Sequence, residues 1–128
     1  MKVLLDTSTF LWLAADDPSL SARAKKIFLD NANDCLLSIV SIWELAIKTS
    51  LNKLTLPHSV EKFVLAQLHA NDIQQLPIHF RHVARVEALP FHHRDPFDRL
   101  IISQAIEEKI PILSPDKHFD VYPVRRLW

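Results

Sequence analysis

The chain has 128 residues, a length that suits one compact domain and leaves no room for a second independent core. Its 15 Lys and Arg balance 15 Asp and Glu, so attraction to a polyanion has to come from local patches rather than bulk charge. Glycine is absent, which excludes the glycine-dependent phosphate loop and dinucleotide fingerprint, and the lone Cys35 excludes an internal disulfide and fits a reducing compartment.

Val3-Leu4-Leu5 is a short apolar run that reads as a buried strand ending at Asp6. Residues 7 to about 15 are apolar at helical spacing, Asp16-Asp17-Pro18 breaks them, and Ser19 reads as the cap of a second helix through about residue 31. Residues 35–40 form a second strand-like run, and Ser41 opens a helix to about residue 50. A further helix starts at His58 or Ser59 and runs to about residue 70; residues 73–78 suit an edge strand, and residues 79–88 are helical in pattern. After a loop over 89–94, Asp95-Pro96 opens a strongly periodic helix to about residue 108. Residues 111–113 read as a strand, 115–119 as a short helical turn, and 121–127 as a last strand. Strands alternating with helices predict an α/β domain over residues 1–128, with a parallel sheet covered on both faces. The acid inside the first apolar run argues against a signal peptide, and no apolar stretch approaches the roughly 20 residues that span a bilayer; a cytoplasmic protein without membrane contact is expected.

Asp6 follows the first strand, Glu44 falls in the first turn of the helix after the second, Asp95 and Asp98 open the long helix, and Asp116 follows the strand at 112–113. In a parallel sheet such junctions lie along one edge, beyond the carboxyl ends of the strands, where ligands bind. Taken singly, each acid has a structural reason to be there. Ser41-Ile42-Trp43-Glu44 has the form of a capping box, Asp95 that of an N-cap before Pro96, and acids gain about 0.3–1 kcal/mol from a helix N-terminus. Capping does not explain why every junction along this edge carries one. Carboxylates sharing a pocket repel, a divalent cation removes that cost, and oxygen ligands without clustered cysteine suit Mg²⁺ or Mn²⁺. Such sites serve phosphoryl chemistry, so the spacing alone points to a metal-dependent phosphodiesterase or phosphatase.

The wording of these segments is more specific. Leu4-Leu5-Asp6-Thr7-Ser8-Thr9-Phe10-Leu11-Trp12 and Ser41-Ile42-Trp43-Glu44-Leu45-Ala46-Ile47-Lys48 with Leu51-Asn52-Lys53-Leu54 resemble the first two acidic motifs of PIN-domain proteins of the VapC branch. His93-Arg94-Asp95-Pro96-Phe97-Asp98-Arg99-Leu100-Ile101-Ile102-Ser103-Gln104-Ala105 resembles the third, and Ile112-Leu113-Ser114-Pro115-Asp116-Lys117-His118-Phe119 the fourth, in order along the whole chain. The resemblance implies a three-layer α/β/α sandwich around a mainly parallel sheet. It also implies a Mg²⁺- or Mn²⁺-dependent endoribonuclease, the toxin of a toxin–antitoxin pair, held inactive by a cognate antitoxin. Carried over residue by residue, the metal and catalytic acids are Asp6, Glu44, Asp98 and Asp116, with Asp95 a further candidate better explained as a cap; Thr7 and Ser114 are candidates to touch a carboxylate or bound water. Three departures from the family pattern occur: Ser8 where many relatives carry His, and non-glycine residues at Asn52 and near Lys109 where Gly is usual. Asn is the best substitute for a left-handed turn, and local strain is expected near Lys109.

Among cations near these motifs, Arg94 and Arg99 are the candidates for RNA phosphate contact, ahead of Lys48, Lys53 and Lys117, for which a solvated face or an i,i+4 pair with Glu44 serves as well. His92-His93 reads first as loop polarity, His79 and His82 as a surface pair, and Trp12, Trp43, Phe97 and Cys35 as core. A homodimer is expected, dimers being the commonest symmetric assembly. Competing readings are a phosphatase with Asp6 as nucleophile, although Ser8 stands where a second acid is usual, and a non-catalytic signalling or binding domain on the same scaffold.

Overall fold

The computed structural model describes all residues, 1–128. Five parallel strands, β1 (Lys2–Leu5), β2 (Asp34–Ser38), β3 (Gln74–Leu76), β4 (Ile112–Leu113) and β5 (Arg126–Leu127), form one sheet in the order β3-β2-β1-β4-β5. Six α-helices join and cover them: α1 (Thr7–Ala15), α2 (Ala22–Leu29), α3 (Ile39–Ser50), α4 (Val60–Ala70), α5 (Phe80–Arg85) and α6 (Pro96–Glu108). The three-layer α/β/α arrangement expected from strand–helix alternation is the one observed.

Alternation along the strands explains the two cores. Val3 and Leu5 point to one face, with Leu37, Leu113, Phe10 of α1, Ala24 of α2, and Val64 and Leu68 of α4. Leu4 points to the other, with Leu36, Ile112, Ile101, Ile102 and Ala105 of α6, Phe119 and Tyr122. Helix α3 serves both, giving Leu45 to the first and Val40 to the second. Strands β1, β2 and β4 are buried on both faces, which is why they read as continuous apolar runs. The switch in strand order at β1 brings β2 and β4 to either side of it, with Leu5 opposite both Leu37 and Leu113. The loops leaving these three strands therefore share one edge.

Several boundaries differ from the sequence reading. Helix α3 begins at Ile39, not Ser41, because Ser38 is the cap: its hydroxyl accepts from Val40 N at 3.0 Å. Glu44 consequently lies in the second turn, and there is no capping box with Ser41. Helix α2 is capped by Ser21 rather than Ser19, since Asp17 accepts from Ser19 N in a separate turn. The last strand shrinks to two residues: a 3₁₀ turn occupies Lys117–Val121, and Pro123 lacks an amide for the ladder. His82 is buried rather than superficial, its Nδ1 accepting from His79 N and its Nε2 2.9 Å from Glu108. Trp43 is half exposed, its ring edge-on to Phe97. Asn52 takes the left-handed backbone expected of it (φ 57°), and so does Lys109 (φ 56°), which has no short side chain to ease that conformation.

Candidate metal centre

Asp6 ends β1 and caps α1, so one of its oxygens is used locally: Oδ1 accepts from Thr9 N at 2.7 Å. Its Oδ2 accepts from the hydroxyl of Ser114, which follows β4. The Thr9 hydroxyl donates to Leu113 O, tying the start of α1 to the same strand. Asp6 is only 6% exposed, and burial pushes its pKa above the usual carboxylate range against the pull of these donors.

Glu44 reaches the same edge from the second turn of α3. Its Oε1 accepts from the Thr7 hydroxyl at 2.7 Å, and its Oε2 lies 2.6 Å from Lys48 Nζ one turn on. The Thr7 hydroxyl also lies 2.9 Å from that of Ser41, so Thr7 of α1 bridges two residues of α3 and pins Glu44 from the side of α1. Lys48 is held protonated above its usual range, chiefly by its bond to Glu44 and also by the fields of Asp95 and Asp98.

Asp95 caps α6, its Oδ1 accepting from Phe97 N and Asp98 N, with Pro96 at the first helical position. Asp98, in that first turn, receives no hydroxyl or backbone donor. Burial, then the fields of Asp95, Glu44, Asp6 and Asp116 in that order, push it up to about 8. The four neighbours named there are the other acids of the sequence reading, so Asp98 is where their charges meet. Asp116 caps the 3₁₀ turn; burial raises it, but bonds from His118 N, the His118 ring and His93 outweigh that and leave it below its usual value.

His93 completes the pocket. Its Nε2 lies 3.1 Å from Asp98 Oδ2 and 3.4 Å from Asp116 Oδ2, and one donor atom from each of the three residues falls within 4.8 Å of the others. Its Nδ1 accepts from Asp95 N at 3.2 Å, which puts the proton of the neutral ring on Nε2, facing the acids. The donor set is dominated by carboxylate oxygens, and burial together with the charges of its neighbours pushes Asp98 toward a proton. That chemistry fits a hard divalent cation such as Mg²⁺ or Mn²⁺.

The sequence profile of the PIN domain matches residues 3–124. The chain belongs to the PIN-domain family. No curated protein matches it by sequence. Among solved structures, this PIN domain is similar to the crystal structure of VapBC2 from Rickettsia felis bound to a DNA fragment from their promoter (TM-score 0.74, 16% identity, covering 99% of this chain and 98% of that one). It is also similar to VapBC-1 from nontypeable Haemophilus influenzae (TM-score 0.66, 16% identity, 99% and 97%) and to FitAcB from Neisseria gonorrhoeae (TM-score 0.63, 20% identity, 98% and 96%). These likenesses concern the fold.

The PIN domain thus gathers Asp6, Glu44, Asp95, Asp98 and Asp116 at one sheet edge, with Thr7 and Ser114 bonded to two of the carboxylates. Arg99 is a correction. Rather than facing a polyanion, it is 4% exposed, and its guanidinium donates to the carbonyls of Pro90, His93, Val86 and Leu89. A residue one position past Asp98 on a helix points away from it, into the loop that precedes α6. Arg94 is exposed. His93 was undervalued by sequence reasoning; its only local signal is its place two residues before a helix cap, and the contacts that aim it come from Tyr122 and Arg99.

Proposed function

We propose that this PIN domain, one unit over residues 1–128, is a Mg²⁺- or Mn²⁺-dependent endoribonuclease, the toxin of a toxin–antitoxin pair. The observation that carries the reading is the meeting of four acids on Asp98, which leaves that carboxylate short of positive charge in a pocket that otherwise satisfies its groups. Asp6, Glu44, Asp98 and Asp116 are the residues that would hold the cation, with Asp95 kept mainly for its cap. When bound, the cation supplies an acidified water as nucleophile and offsets the charge developing on a phosphodiester.

The chain's own groups do the positioning. Ser114 and Thr9 fix Asp6, Thr7 and Lys48 fix Glu44, and His93 and His118 fix Asp116. An aspartyl-phosphatase mechanism at Asp6 is disfavoured by Ser8, which stands where a second acid is usual. Arg94, exposed beside His93, is the cation available to an RNA phosphate. The neighbours of this fold include VapBC2 bound to promoter DNA, and by that likeness the partner expected here is an antitoxin that also binds DNA. A homodimer and a cytoplasmic location belong to the same proposal; no helix is long and apolar enough to cross a membrane.

The test is cleavage of mixed RNAs by the purified, antitoxin-free chain in Mg²⁺ or Mn²⁺, with chelator and Asp98→Asn controls. Cleavage is expected to vanish in both. Full cleavage in chelator would overturn the metal-dependent reading, and full cleavage by Asp98→Asn would overturn the site.

A further inference from the structure

Two phenylalanines stand almost wholly in solvent, Phe91 (80% exposed) and Phe80 (87%). Single exposed apolar residues are ordinary, but these two differ in what lies behind them. Phe80 opens α5 beside Arg81, Arg85 and Glu107, among surface ion pairs. Phe91 lies in the loop that delivers His93 to Asp98 and Asp116, and one face of its ring is covered by the Arg99 guanidinium, 3.9 Å from the ring centroid. A buried cation fixed behind one face leaves the other open to solvent.

The loop is also tied down. Arg99 holds three of its carbonyls, those of Leu89, Pro90 and His93, and that of Val86 just before it, and the Tyr122 hydroxyl both donates to Pro90 O and accepts from His93 N, bracketing Phe91 on either side. The neighbouring His92 ring rests edge-on against Tyr122. Two residues of chain span at most about 7 Å, so the backbones of Phe91 and His93 lie within that distance of each other, on the loop that carries His93 to Asp98 and Asp116. An aromatic ring held in place loses little entropy on stacking, and nucleic-acid proteins use such rings for unpaired bases.

We propose that Phe91, backed by Arg99, is a stacking platform for an unpaired nucleobase next to the phosphate placed at the acid pocket. The proposal rests on the nuclease reading above and deepens it: the substrate class is single-stranded, since a base within a duplex has no face free to stack. It also gives Arg99 a part in RNA recognition, through the ring it supports rather than through a phosphate.

The test uses the full chain with Ca²⁺ or chelator to suppress cleavage, and fluorescein-labelled single-stranded oligoribonucleotides read by anisotropy. Phe91→Ala and Phe91→Leu are expected to weaken binding by about 5- to 150-fold, the range for loss of one base–aromatic stack. Phe91→Trp is expected to bind as the parent does, with its added indole emission quenched at saturation. Binding of a fully paired duplex should be the same in all four proteins. Wild-type affinity in Phe91→Ala, or in Phe91→Leu, would overturn the platform, the latter by showing that apolar contact without an aromatic face suffices. A change in self-association without a change in oligonucleotide binding would assign the ring to a protein contact and likewise overturn it. If the wild-type chain cleaves RNA and Phe91→Ala matches it in both binding and cleavage, the platform alone falls. If the wild-type chain neither binds nor cleaves any single strand, the nuclease reading falls and takes the platform with it.

Discussion

The two halves of the acid pocket are built on different principles. On one side, Asp6 and Glu44 are nearly sealed from solvent, and each of their oxygens meets a donor: Thr9 and Ser114 for Asp6, Thr7 and Lys48 for Glu44. On the other side, Asp98 and Asp116 are half-buried, and the one donor that reaches both is Nε2 of His93. Asp116 has His118 as well and its pKa falls below the usual value, whereas Asp98 has no second donor and its pKa rises to about 8. The sealed side is a finished hydrogen-bond network, and the open side lacks positive charge at one carboxylate. A site that binds a cation reversibly needs both: a wall that keeps its shape when empty, and a position whose energy improves when filled.

The sharpest way to break this comparison is Asp98→Asn. It should abolish cation-dependent cleavage by more than about 100-fold, beyond the 10–100-fold typical of changes that only support a ligand. The same variant should alter stability against pH. An acid whose folded value is raised from 3.8 to about 8 binds more protons folded than unfolded between those pH values. Stability of the cation-free chain should therefore fall as pH rises from about 4 to about 8, by a few kcal/mol at most. Thermal melts at several pH values should show this decline in the wild-type chain, a flatter curve for Asp98→Asn, and a flatter curve with Mn²⁺ added. A wild-type curve already flat without cation would mean that the open side is not short of charge.

Ser114→Ala probes the sealed side. It leaves Asp6 Oδ2 without its donor in a buried place, at a cost of about 1–3 kcal/mol in denaturant unfolding. Cation affinity by calorimetry should drop by about 10–100-fold. Equal affinity would show that the network supports the fold but not the site.

Asp95 separates capping from ligation. Asp95→Asn keeps an acceptor for Phe97 N and Asp98 N and should melt close to wild type, while Asp95→Ala should lose about 1 kcal/mol. Cleavage by Asp95→Asn should stay within about tenfold of wild type, less than supporting residues commonly cost; a loss matching that of Asp98→Asn would make Asp95 a ligand. The smallest effect belongs to Lys48→Ala. Its half-exposed i,i+4 pair with Glu44 is worth about 0.5 kcal/mol or less, so the melt should scarcely move and only cation affinity should report the change.

What could be read from the sequence follows the range of the forces involved. Apolar runs and local caps act within a few residues, so β1, the Asp95-Pro96 start of α6 and the strand–helix alternation were legible. The edge of β2 was not, because Ile39-Val40 is apolar and branched like a strand; Ser38 wins as the cap in a setting where its hydroxyl also lies against Gln104 of α6. Glu44 was named for its place in a first turn and reaches the pocket from the second. The part of the site carried by His93 was undervalued as loop polarity, because its position is set by Tyr122, 29 residues away, and by the inward turn of Arg99. The same long-range contacts bury Arg99, a residue type that normally stays at the surface.

The strand order carries a consequence for synthesis. Strand β1 emerges first, yet its neighbour β4 and the donor Ser114 lie more than a hundred residues later in the chain. Domains begin folding from the amino-terminal end as they are made, but here the β1–β4 pairing must wait until Ile112 and Leu113 have emerged. The acid pocket takes Asp6 from one side of that pairing and Asp116 from the other, so it cannot close before both strands are in place.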